Sequence, residues 1–78
     1  MIFLIEYDRK RGQIVTLEKF NSSERQKAHE SRLRMELELN HSGTKREVVL
    51  LDAASEAALR RTHRRYFESL SELAILPA

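Results

Sequence analysis

Apolar and polar positions along the chain fall into patterned stretches separated by turn residues. The first stretch, Ile2 to Tyr7 (IFLIEY), is β-branched, aromatic or leucine everywhere except Glu6. That composition fits a strand with neighbours on both edges. Asp8 to Gln13 (DRKRGQ) is polar, and Gly12 can take the left-handed conformation that closes a three-residue hairpin loop with a bulge. With Lys10, Arg11 and Gly12 in the loop and Arg9 facing Gln13, Tyr7 pairs with Val15, Glu6 with Thr16 and Ile5 with Leu17. One sheet face then carries Phe3, Ile5, Tyr7, Val15 and Leu17. The other mixes Ile2, Leu4, Ile14 and Phe20 with Glu6, Thr16 and Glu18. The first is the expected core face.

Asn21-Ser22-Ser23 ends the second strand, and Ser23 with Gln26 three residues later reads as a capping box. From there to Asn40 the chain has no Gly or Pro. At about 100° per residue, Ala28, Met35 and Leu39 form one stripe bordered by Glu24 and Arg32. Leu33 to Leu39 (LRMELEL) also alternates as a strand would, but composition decides for helix. Leu, Met, Glu and Arg are helix formers, and Arg32 with Glu36 and Arg34 with Glu38 are spaced as i,i+4 pairs. Leu33 and Leu37 then lie opposite Met35, exposed in a monomer. Gly43 offers a C-cap. Glu47 to Leu51 (EVVLL) reads as a third strand. Asp52 or Ser55 caps a second helix running to about Leu70, with Leu59, Tyr66, Phe67, Leu70 and Leu73 on its apolar face and Pro77 ending any continuation.

The element order is β-β-α-β-α. A right-handed crossover from strand two to strand three leaves those strands parallel, with strand one antiparallel between them. The expected fold is α+β: a three-stranded antiparallel sheet of order 2-1-3 with two helices on one face, in a single small domain over residues 1–78. Topology of this kind resembles part of a ferredoxin-like sheet, and topology alone carries no function.

Composition narrows the picture. The chain is 41 % hydrophobic and 33 % charged, that of a globular protein with a heavily charged surface. It has no cysteine, which points to a reducing, cytoplasmic setting. The N-terminal apolar run is too short and too polar for a signal core or a membrane span, so no membrane association is expected. With 14 Lys and Arg against 12 Asp and Glu, the net charge is only +2. Any nucleic-acid argument must therefore rest on local clustering.

Such a cluster exists at Arg60, Arg61, Arg64 and Arg65, which span roughly 140° of the second helix away from Leu59 and Tyr66. They form a candidate basic ridge for phosphates, with Arg9, Lys10 and Arg11 as an extension. The simpler account is a solvated face with internal pairing, because Glu56 precedes Arg60 by four residues and Glu68 follows Arg64 by four. His63 falls between Leu59 and Phe67, where a histidine is either a packed, hydrogen-bonded residue or an acid, base or ligand. His29 and His41 lack metal-ligand spacing. Without a cysteine, a glycine-rich phosphate loop or a nucleophile motif, the sequence gives no support for an enzyme or a cofactor. The expectation is a non-catalytic interaction or regulatory module. With both helices on one face, Ile2, Leu4, Ile14, Phe20, Leu33 and Leu37 would stay uncovered, a surface suited to a homodimer. Weak nucleic-acid binding through the four arginines is the alternative.

Overall fold

The computed structural model describes residues 1–67. Its sheet has the expected order and sense. β1 (Ile2–Asp8) lies between β2 (Gln13–Phe20) and β3 (Glu47–Asp52) and runs antiparallel to both. Helix α1 (Arg25–Ser42) connects β2 to β3, and α2 (Glu56–Thr62) and α3 (Arg64–Phe67) follow.

The hairpin departs from the simplest register at its tip. Asp8, not Arg9, faces Gln13, so the loop holds Arg9 to Gly12. The Asp8 carboxylate accepts the amides of Lys10 (3.0 Å) and Arg11 (3.2 Å), and the Gly12 amide donates to the Asp8 carbonyl at 2.8 Å with φ of 66°. Tyr7 consequently pairs with Ile14, and a bulge restores the Glu6–Thr16 and Ile5–Leu17 pairs. The bulge exchanges the roles of two residues. Ile14 packs against the cluster of Phe3, Ile5 and Tyr7, while Val15 is left 51 % exposed.

The capping turn ahead of α1 lies earlier than Ser23 and Gln26 imply, while α1 itself begins at Arg25. The capping pair is Asn21 and Glu24, whose carboxylate accepts the Asn21 amide at 3.0 Å at the head of a 3-10 turn over Ser22–Glu24. Ala28 is buried and Met35 and Leu39 are half-buried along the expected stripe. At the other end Gly43 has φ of 72°, with its amide on the Asn40 carbonyl and the Thr44 amide on the Leu39 carbonyl.

The two faces of the sheet are covered differently from the expectation. Phe3, Ile5 and Tyr7 form one core with Leu59 and Tyr66, joined by Val49, Leu51 and Phe67. That face belongs to α2 and α3. Helix α1 lies on the opposite face, over β1 and β3 more than β2. There Met35 and Leu39 stand near Glu6 and Thr16, and Arg25, His29 and Arg32 stand near Ile2 and Leu50. Ile2 is 2 % exposed and Leu4 0 %. The expected arrangement of two helices on one face is thus replaced by a helix–sheet–helix sandwich. A central strand apolar on both faces, with Ile2 and Leu4 on one and Phe3, Ile5 and Tyr7 on the other, needs cover on both.

The second helix is interrupted as well. Ser55 caps α2 through the Ala58 amide (3.1 Å), but His63 leaves helical geometry with φ of −127° and ψ of 51°. The Thr62 hydroxyl bonds back to the Ala58 and Leu59 carbonyls at 3.0 and 3.3 Å, which closes the turn just before the break. The break brings Tyr66 edge-on to Tyr7, with ring centroids 5.1 Å apart. Leu70, Leu73 and Pro77 lie outside the described residues. Among those described, no helix is long and apolar enough to cross a membrane.

Candidate functional site

The residues marked by the sequence as a possible interface separate into two groups. Ile2 and Leu4 are buried under α1, Ile14 packs into the opposite core, and Phe20, paired with Ile2 at the end of β2, is half-buried. The sheet face expected to remain open is therefore closed. Leu33 and Leu37 remain, one turn apart on the outward side of α1, 56 % and 60 % exposed.

A second apolar stretch emerges from the sheet order. β3 is an edge strand whose Val48, Val49, Leu50 and Leu51 are each half-buried. Among the described residues its backbone pairs only with β1. Small clefts flank it under the overhang of α1. One, of about 200 Å³, is lined by Leu50 with Arg25, His29 and Arg32, and one, of about 340 Å³, by Val48 with Glu36 and Asn40. The sequence marked EVVLL as a strand but gave no means of knowing that, among the described residues, nothing pairs with its outer side.

The four arginines do not make one ridge. Arg65 turns onto Glu47, 3.1 and 3.2 Å from its two carboxylate oxygens, donates to the Tyr66 hydroxyl at 2.7 Å and lies 4.2 Å over the Tyr66 ring. Arg9 reaches the same carboxylate from the hairpin at 2.9 Å. Its hydrogen bond, with those from Tyr66 and Arg65, holds the Glu47 carboxyl below the ordinary glutamate range against the opposing effect of burial. Desolvation pushes the Tyr66 hydroxyl above the usual tyrosine value. Arg60 pairs with Glu56 at 3.6 Å and covers the Phe67 ring at 4.6 Å. Arg64 also has an interaction partner, and Arg61 alone of the four has none among the described residues. The Glu47 hub was missed in the sequence, although extending the strand register to β3 would have found it, since Glu47 sits opposite Tyr7.

His63 occupies the break between α2 and α3. Its Nδ1 lies 2.9 Å from the Thr62 hydroxyl, and its ring stacks on Tyr66 with centroids 6.4 Å apart. Between α1 and the β1–β2 hairpin runs a groove of about 580 Å³ bearing Glu6, Glu18, Glu38 and Arg34. Within it Glu6 accepts the Thr16 hydroxyl at 2.9 Å and faces Arg46 at 3.6 Å. No group of three His, Asp or Glu side chains suited to a metal ion is present among the described residues. Comparison with protein-family models, curated proteins and solved structures finds no match to this chain.

Proposed function

We propose that this chain is a non-catalytic interaction module whose primary partner is a second copy of itself. The reading rests on the aliphatic surface that a single copy leaves partly uncovered on the α1 side among the described residues: outward Leu33, and the half-buried Val48 and Leu50 on a sheet edge that pairs only with β1. A small soluble chain gains by covering such a surface, because burial removes about 25 cal/mol per Å² of apolar area from water. The polar clusters support the non-catalytic part of the reading. Glu47 is saturated by Arg9 and Arg65, and Glu6 by Thr16 and Arg46, which makes both structural ties rather than poised acids or bases.

Light scattering on the full chain from 5 to 500 µM, a range of roughly two decades around the affinity of a modest interface, tests the proposal. A mass that rises toward twice 9.2 kDa is expected. A constant 9.2 kDa would refute it.

A further inference from the structure

We infer that two copies join edge to edge through β3, antiparallel about Val49, making one six-stranded sheet with the two α1 helices side by side above the seam. The inference rests on the reading that the chain self-associates, and it names how. Three observations meet in this arrangement.

The first is the strand register. A two-fold axis perpendicular to the sheet keeps each face on its own side, so residues pair only with residues of the same parity. Centred on Val49, Val48 faces the partner's Leu50 beneath the helices, and Arg46 faces the partner's Asp52. On the α1 face apolar meets apolar and cation meets anion, each contact made twice; on the other face Glu47, already held by Arg9 and Arg65, stands opposite the partner's Leu51. Centred one residue later, Val48 would face the partner's Asp52. Centred one residue earlier, Arg46 would face the partner's Leu50. The pairs on the α1 face, Val48 with Leu50 and Arg46 with Asp52, favour this alignment over its neighbours.

The second is the position of α1. It lies over β1 and β3. With strands about 4.8 Å apart, its axis stands about 5 Å from the new seam, and the partner's helix stands as far on the other side. The resulting separation of about 10 Å is the contact distance of packed helices. The Val48 and Leu50 clefts beneath the α1 overhang lie on this side and are closed by the partner's side chains.

The third is the flank of α1 that faces the seam. It carries Arg32 and Glu36, which approach each other only to 3.9 Å within one chain. Arg32 Nε is shielded from solvent and makes no hydrogen bond among the described residues. A buried donor without an acceptor is destabilising. Helix α1 runs antiparallel to β3, with Arg25 at Asp52 (3.0 Å) and Glu36 beside Val48. Residue 34 of α1 thus stands above Val49, so the same two-fold axis sets Arg32 opposite the partner's Glu36. Leu33 lies at the rim of the seam, and Leu37 is turned away from it.

The absence of native cysteine allows a direct test in the full chain. Residues opposed across antiparallel strands have Cα atoms about 4.5–5.5 Å apart, within disulfide range. Val49→Cys is therefore expected to give a covalent homodimer in an air-oxidised or glutathione buffer, roughly ten-fold more than Leu51→Cys or Leu37→Cys. If Val49→Cys impairs folding by circular dichroism, a mixture of Glu47→Cys and Leu51→Cys chains provides the same reading: the mixed disulfide should exceed both homodimers. Leu37→Glu should leave the association constant unchanged, whereas Arg32→Glu should weaken it about ten-fold or more by opposing two glutamates. A dimer by light scattering that Leu37→Glu abolishes, or that cross-links at position 37 and not at 49, would overturn the β3 pairing while leaving self-association intact. A monomer at all concentrations would overturn both.

Discussion

Leu4 tests the placement of α1. It is fully buried in the middle of the central strand, on the face that α1 covers. Leu4→Ala removes three carbons from a closed site, and such changes cost about 2–5 kcal/mol, the spread reflecting how far the surroundings collapse into the void. A 78-residue chain has a total stability of about 4–12 kcal/mol at 0.05–0.15 kcal/mol per residue. The substitution thus takes at least about a sixth of the whole, and close to half at the middle of both ranges. With a urea dependence of about 1 kcal/mol per M for a chain this small, the unfolding midpoint should fall by about 2 M or more. Circular dichroism at 222 nm follows the loss of α1 in urea, at one fixed low-micromolar concentration so that association contributes equally throughout. Val15→Ala is the internal comparison. Val15 stands out at the bulge, half exposed, and its truncation should cost less than about 1 kcal/mol. If Leu4→Ala cost no more than Val15→Ala, α1 would not be sealing that face and the two-sided core would be wrong.

Other expectations are independent of it. Gly43→Ala should destabilise by about 1–2 kcal/mol. Among the described residues nothing beyond its own chain neighbours lies within 4 Å of where its Cβ would stand, so the cost is the left-handed backbone at φ 72° and Gly43→Asn should recover part of it. Glu47 has its folded-state carboxyl lowered chiefly by Arg9, so its stabilisation is complete above the ordinary glutamate range and is lost as pH falls through the lowered value. Glu47→Gln should therefore cost about 1 kcal/mol or less at pH 7, and the difference from wild type should shrink as pH falls through the lowered value; a difference that stays constant as pH falls from neutral through the carboxylate range would contradict the hub. In a spectrophotometric titration at 295 nm, Tyr66→Phe should remove the component ionising above the usual tyrosine value; an unchanged high-pH limb would contradict its desolvation.

The strand order, the helix over the alternating LRMELEL segment, the Gly43 cap and the exposure of Leu33 and Leu37 were all legible in the residues, because each depends on local chemistry or on a single crossover rule. What the residues concealed depends on relations between elements. Asp8 gathers two loop amides and lengthens the hairpin turn by one residue, which moves Ile14 inward and Val15 outward. Whether α1 and α2 share a face is decided by the need of β1 to be covered on both sides, not by either helix. Ile2 and Leu4 looked like an interface only while both helices were placed on the other face. The candidate arginines illustrate the same limit. Arg60 could be paired with Glu56 from helical spacing alone, whereas the attachment of Arg65 to Glu47 required the β1–β3 register and the helix break at His63.

Amide hydrogen exchange followed at two concentrations tests self-association and its location together. Between about 10 µM and 1 mM, spanning the affinity expected of a modest interface, the outward-facing amides of β3 from Val48 to Leu51 should gain protection while the outer edge of β2 stays unchanged. Exchange at β3 that is fast and indifferent to concentration, or protection that appears on β2 instead, would contradict the account.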